Sequence, residues 1–324
     1  RRIKQKNIRL ITFDGLPINK PHSLNIGLSH ATKNVVVVFD AEDQPHKDIY
    51  SIANTIFNKK DISILQSGVQ LINYSSRWFS VFNVLEYYFW FKSGLHFFTK
   101  IGKITPLAGN TIFFDKQILT KIGGWDENCL TEDAEIAFRL IPNGGKIGIV
   151  YDERHVTFEE TPIRLKDFIK QRTRWNQGFF QVFSRMDWIR LPKLRQKILS
   201  VYILLSPLTQ LIVLLYLPFT IWALFFYKIP VLISLYSFLP MYLFLLQIAL
   251  YIIGFIEFNF AYKLHAPFFT YLIIVIMFFP YQLILTISAI RACYRVISNQ
   301  YQWEKTKHAN IHRSISFDSS TSYA

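Results

Sequence analysis

VVVVFDAED, residues 35–43, is the stretch on which the fold turns. Four β-branched residues and a phenylalanine, uninterrupted by any polar side chain, read as a short strand. Such a run suits a fully buried parallel strand over 35–39. Three acids follow at once: Asp40, Glu42 and Asp43. In open α/β sheets ligands gather beyond the carboxyl ends of strands, so these carboxylates would face a substrate. Carboxylates one or two residues apart can hold Mg²⁺ or Mn²⁺, which favour hard oxygen ligands and also accept phosphate oxygens. An acidic turn ahead of a helix N-terminus is the plainer reading of the same residues.

Outward from this run the pattern alternates. Residues 21–32 read as a short helix. Ile49, Ile52, Ala53, Ile56 and Phe57 have helical spacing, with Pro45 at the expected helix start. A second strand is expected over Ile62–Ile72 and another over Lys146–Tyr151, which makes an α/β layer. The aromatic-rich stretch 76–98 is expected to lie as a helix at a membrane interface. Thr131 is a good N-cap for a helix to Leu140, stopped by Asn143-Gly144-Gly145. A long helix is expected over Arg164–Arg185.

Charge divides the chain. Of 324 residues, 36 are Lys or Arg and 22 are Asp or Glu, and 19 of those acids lie within residues 1–187. Between Ile198 and Ile256 the sole charged side chain is Lys228, and Leu264–Ile290 has none. Three apolar segments result, at about 199–227, 229–256 and 264–290, each long enough to span a bilayer of roughly 30 Å. An odd number of crossings would separate the two ends. Because Arg291, Arg295, Lys305, Lys307 and Arg313 follow the last segment, both ends are expected on one side. One segment is then interfacial, re-entrant or two short helices, and Pro207 and Pro218 single out the first. Ser314–Ser322 is expected to be disordered.

Composition excludes other classes. A hydrophobic content of 51% excludes disorder as the dominant state, and two cysteines, Cys129 and Cys293, exclude a disulfide-stapled module. The net charge of +14 invites a nucleic-acid reading. The bases flank apolar segments rather than forming a stripe among stacking aromatics, so no nucleic-acid partner is expected.

Two further clusters carry chemistry. Thr131-Glu132-Asp133 opens a helix, where capping alone would explain it, but Asp133 could also serve as a general base toward a hydroxyl. In Gln171-Arg172-Thr173-Arg174-Trp175, Gln171, Arg174 and Trp175 stand at i, i+3 and i+4 and share one helix face. Arg174 could grip a diphosphate and Trp175 could stack on a sugar. An amphipathic helix on a membrane surface would use the same residue types.

In order, INKPHSLNIGL (18–28), FDAED (39–43), LAGNTIFF (107–114), GGWDE (123–127), TEDAEIAFRL (131–140), QRTRW (171–175) and WEKTKH (303–308) resemble the membrane-embedded family 2 glycosyltransferases. Cellulose, hyaluronan and chitin synthases belong to that group. The resemblance implies an α/β GT-A fold and an inverting transfer from a nucleotide-diphosphate sugar, UDP-glucose first, to the end of a growing polysaccharide. It places Asp40 with Glu42 or Asp43 on Mg²⁺ or Mn²⁺, Asp133 as catalytic base, and Lys20 and Arg174 on the donor diphosphate. Glu132, Gln171 and Trp175 fall to the acceptor. It further implies a cytoplasmic catalytic domain over 1–197, a multi-pass region of the cell membrane over 198–291 and a basic tail over 292–324. Partners would be the nucleotide-sugar donor, the glycan acceptor, the lipid bilayer and accessory export subunits. Family members open with a strand and a nucleotide-recognising acid that have no counterpart here. An N-terminally incomplete domain that binds nucleotide poorly by itself is therefore expected. The open alternatives are a single transfer to a lipid-linked acceptor, whose enzymes usually lack Gln-x-x-Arg-Trp, and a non-catalytic scaffold or transporter.

Overall fold

A computed structural model of the chain describes residues 8–227 and 239–304. Lys228, the bases beyond Glu304 and the Ser-rich end lie outside the described residues, as does the start of the second apolar segment. Among the described residues six strands form two sheets. In the larger, the order is β1 (Val35–Val38), β4 (Ile112–Asp115), β2 (Ile64–Ser67), β5 (Ile147–Val150). β4 runs antiparallel to both β1 and β2, while β2 and β5 are parallel. A parallel pair, β3 (Val69–Leu71) and β6 (Thr157–Glu159), makes the smaller sheet.

Three expectations change here. β1 is an edge strand paired antiparallel to β4, and Val35 is exposed, so the valine run is not a fully buried parallel strand. The expected strand 62–72 is two strands in different sheets: Ser67 N–H still donates to Thr111, while the Gly68 carbonyl accepts from Thr157. Helix α2 (Ile49–Lys59) begins later than Pro45, because Gln44 is held in an antiparallel bridge to Phe158. The other elements fall near their expected places: α1 (Lys20–His30), capped by the Asn19 side chain, α6 (Glu132–Leu140) and α7 (Leu165–Ser184).

The stretch read as an interfacial helix is largely buried in the protein core. Helix α3 (Ser80–Phe89) continues through wide turns at Trp90–Gly94 and Phe98–Gly102, on either side of the single turn α4 (Leu95–Phe97). Phe82, Leu85 and Tyr88 are fully buried on α3, packed with Phe168 of α7 and with two long apolar helices, α10 (Leu239–Ala261) and α11 (Phe268–Ile297). Phe82 stacks on Tyr281 of α11 with ring centroids 4.6 Å apart. Its aromatic residues therefore join the catalytic half to the apolar half. The rest of the chain adds α5 (Lys116–Lys121), α8 (Leu194–Leu204) and α9 (Ser206–Phe226).

The first apolar segment is divided at Leu205 into α8 and α9, the two-helix outcome. Among the described residues two helices are long and apolar enough to cross a membrane, Met241–Ala261 and Phe268–Ile297. Their outward faces carry Leu243, Leu246, Ile253, Ile276, Leu283 and Ile287, all exposed. Faces of that kind suit lipid rather than water.

Helices α6 and α7 touch at Gly178. A Cβ there would lie 2.3 Å from Thr131 Cγ2 and 2.5 Å from its hydroxyl. Overpacking costs about 1–3 kcal/mol, which outweighs the roughly 1 kcal/mol gained by putting Ala in a helix. Gly178→Ala is expected to lower the thermal midpoint in detergent. Adding Thr131→Ala, which removes those two atoms but leaves the Thr131 Cβ 2.9 Å away, should restore part of it, and a double variant no better than the single one would contradict this contact.

Candidate functional site

The acids after β1 form a closed turn. Asp43 N–H donates to the Asp40 carbonyl at 3.1 Å, and Asp40 N–H donates to Asp43 Oδ2 at 2.9 Å. Asp43 is thus turned back on its own loop, while its Oδ1 is buried without a hydrogen-bond partner. Burial, with Asp40 next to it, pushes the Asp43 carboxyl up to about 7. Asp40 Oδ1 lies 2.6 Å from Lys20 Nζ, which also donates to the Gly109 carbonyl at 2.9 Å. Burial disfavours the Lys20 ammonium, yet Asp40 and Glu132 more than offset it and keep its pKa above the usual lysine value.

The loop containing Gly109 is clamped by one amide. Gln66 on β2 donates through Nε2 to the Asn110 carbonyl and accepts Ala108 N–H at Oε1, each at 2.9 Å. Gly109 has φ +78, and a Cβ there would sit 2.9 Å from Asp133 Oδ2. Glycine is needed on both counts. A single chain of contacts therefore runs from Asp40 through Lys20 and Gly109 to Asp133.

Glu132 and Asp133 begin α6. Thr131 holds the N-cap position, but its hydroxyl makes no capping bond and is buried unpartnered against Gly178. The expected side-chain cap is thus absent, because helix packing takes the hydroxyl's space. Burial pushes Glu132 up to about 7, with the Asp133 charge adding to it. Asp133 is also raised, chiefly by burial, against the pull of Lys20, the helix-start N–H groups and Arg174.

Helix α7 supplies the opposite wall. Gln171, Arg174 and Trp175 all line the same cavity. The Arg174 guanidinium lies 4.1 Å from the Trp303 ring centroid, and its Nε is buried without a hydrogen-bond partner. Trp303 is brought there by the chain after α11. Gln177 donates to the Gln300 carbonyl at 2.6 Å, Arg295 donates to Gln177 at 2.8 Å, and Arg291 pairs with Glu304 at 2.7 Å. Arg291 and Arg295, read from sequence as part of a basic tail, are paired side chains within α11.

The cavity encloses about 700 Å³. It gathers Lys20, Asp40, Glu42, Glu132, Asp133, Gln171, Arg174 and Trp175, every singled-out residue except Asp43. Glu86, Tyr87, Glu159 and Trp303 line it as well, and sequence reasoning gave none of them a place in the site. Glu159 ends β6 and accepts from Asn110 Nδ2 at 3.3 Å. Burial and the acids at Asp43 and Asp40 hold its carboxyl well above the usual range. Its signal was a pair of acids closing a short strand, Glu159-Glu160, a pattern also found on solvated edges. The donors at Asp40 and Glu42 are hard oxygens facing a space that also holds Lys20 and Arg174, which fits Mg²⁺ or Mn²⁺ together with a phosphate group.

Comparison with known proteins follows this geometry. The model of a family described as "Glycosyl transferase family group 2" matches residues 35–288. A probable glycosyltransferase, YdaM of Bacillus subtilis, is 28% identical over 162 residues, covering 49% of this chain and 38% of that protein. The poly-beta-1,6-N-acetyl-D-glucosamine synthase of Staphylococcus epidermidis is 27% identical over 195 residues, 60% of this chain and 46% of the synthase. The beta-monoglucosyldiacylglycerol synthase of Trichormus variabilis is 28% identical over 168 residues, 50% of this chain and 34% of that enzyme. The chain thus spans less than half the length of these relatives. Among solved structures, the mannosyltransferase PcManGT from Pyrobaculum calidifontis in complex with GDP-Man and Mn²⁺ aligns with a TM-score of 0.50 at 18% identity. It covers 88% of this chain and 68% of that one. That likeness bears on the fold, which is of the GT-A type.

Proposed function

Since the chain belongs to glycosyl transferase family group 2, we propose that it is an inverting transferase. It takes a hexose from a nucleotide-diphosphate sugar and adds it to a glycan end held at the membrane. The observation that carries this reading is the contact chain Asp40–Lys20–Gly109–Asp133, which sets an acid-and-cation cradle and a buried carboxylate within one cavity. Lys20 and Arg174 supply positive charge for the donor diphosphate, and Asp133 takes the proton of the attacking hydroxyl. Gln171, Trp175 and Glu132 line the space where the acceptor would rest. Asp40 and Glu42 would hold Mg²⁺ or Mn²⁺. When bound, the ion supplies charge neutralisation for the departing nucleoside diphosphate. Helices α10 and α11 would anchor the protein in the cell membrane, with the basic catalytic half in the cytoplasm.

UDP-glucose is the proposed donor, with UDP-N-acetylglucosamine next. A single transfer to a lipid is the second reading, favoured by the similarity to a beta-monoglucosyldiacylglycerol synthase. The test is a donor screen. The full chain in native membranes is incubated with labelled UDP-glucose, UDP-N-acetylglucosamine or GDP-mannose and Mg²⁺ or Mn²⁺, and products are sized and digested. Incorporation into polymer from a UDP-sugar is expected. Label confined to a lipid carrying one sugar would replace processive synthesis with the second reading, and turnover of GDP-mannose alone would overturn the donor.

A further inference from the structure

The loops bearing Asp43 and Glu159 meet a second time, outside the cavity. Gln44 and Phe158 exchange two backbone hydrogen bonds of 3.0 Å each. Beside that bridge, His46 and His155 approach edge to face, with ring centroids 4.8 Å apart. His46 leads into α2, and His155 closes the short turn Glu153–His155 ahead of β6. Asp48 sits at the N-cap position of α2, but its side chain makes no capping bond. Its Oδ2 lies 3.8 Å from His46 Nδ1. One ligand atom from each of His46, Asp48 and His155 falls within 4.8 Å of the others.

We propose that His46, Asp48 and His155 form a second metal site, separate from the acids at Asp40–Asp43. It takes a Zn²⁺-class transition ion and clips the loop after β1 to the loop before β6. Two imidazoles and one carboxylate are a borderline donor set, suited to Zn²⁺ or Co²⁺ and poorly matched to Mg²⁺. Ligand atoms about 2 Å from a shared ion stand roughly 3–3.5 Å apart. Closure therefore needs only a modest rotation of side chains that are partly exposed. His155 Nδ1 lies 3.1 Å from Asp152 Oδ2, the carboxylate–imidazole arrangement that orients a ligating histidine and leaves its other nitrogen for the ion. A histidine pair on a solvated turn would show the ring contact too, and the Asp48 N–H donates to His46 Nδ1 at 3.2 Å; a carboxylate within 4.8 Å of both imidazoles is what an ion would use in addition.

An ion here would act on the transferase through position. Bridging residues 46–48 to 155 fixes the loop from Asp40 to Asp43 relative to Glu159, and so shapes one wall of the cavity.

The test uses the full chain, purified in detergent, stripped with chelator and titrated with Co²⁺ under excess Mg²⁺, which occupies the hard-oxygen site. Wild type is expected to develop the visible absorption of low-coordinate Co²⁺ with one equivalent, bleached by Zn²⁺. Asp40→Asn should keep the signal. His46→Ala/His155→Ala should abolish it, and Asp48→Asn, at an exposed position that folding tolerates, should weaken Co²⁺ binding by more than about tenfold. An absent signal in wild type would overturn the site, as would an unchanged one in Asp48→Asn. Loss in Asp40→Asn would return the ion to the catalytic acids.

Discussion

Asp133→Asn is expected to lower kcat by about 10²–10⁴-fold, the range for losing a positioned general base, with the donor KM changed little. Asparagine is nearly isosteric, so the tight clearance under Gly109 survives, and its amide oxygen can still accept from the N–H groups at the start of α6. What disappears is the capacity to hold a proton. The same residue fixes the pH response. An acid whose pKa is raised by burial is protonated below that pKa and useless as a base there. Glu132 is pushed to about 7 and Asp133 is raised beside it. Activity should therefore fall on the acid side at a pH above the ordinary aspartate range, with the plateau on the alkaline side. Labelled-donor transfer measured across pH, with wild type and variant in the same detergent, reads both effects. Transfer by Asp133→Asn within a few-fold of wild type would remove Asp133 from the base role.

Why those acids could be read from sequence, while their neighbours could not, has a physical reason. Asp40, Glu42, Glu132, Asp133, Gln171, Arg174 and Trp175 occur in dense local clusters, and it is the order of those clusters, resembling the family 2 glycosyltransferases, rather than any one spacing, that made them legible. The structure indeed gathers them around one cavity. Glu86 and Tyr87 reach it from α3 and Glu159 from the end of β6, through long-range packing that no local pattern records. The valine run shows a second limit. Its apolar content predicts a strand, but the partner and its direction depend on β4, within the LAGNTIFF stretch, which has no strand-like alternation. Likewise Gly68 let one apolar stretch serve two sheets, and the buried α3 had the same aromatic pattern as an interfacial helix.

The two arginines of Gln171-Arg172-Thr173-Arg174-Trp175 are expected to fail in different ways. Arg172 also lines the cavity, but its guanidinium is taken up by protein partners. It pairs with Glu86, donates to Asn83, and lies 5.0 Å from the Phe168 ring centroid and 4.8 Å from that of Trp175. The pair is mostly buried, with side-chain exposures of 15% and 22%. Deleting the guanidinium would leave the Glu86 carboxylate and Asn83 without their partner, next to the fully buried Phe82 and Tyr281 that join the two halves. Removing one member of such a pair costs about 3 kcal/mol, the lower end of the range because some water reaches it. Arg172→Ala should thus lower the thermal midpoint by several degrees and reduce membrane yield. Arg174 is different: it has no carboxylate within ion-pair distance among the described residues, and it faces the cavity beneath Trp303. Arg174→Ala should fold with a midpoint near wild type and lose donor binding, seen as a raised donor KM. Thermal melts and donor titrations of both variants separate the outcomes. A folded, stable Arg172→Ala that only loses donor affinity would put that arginine, too, on the diphosphate.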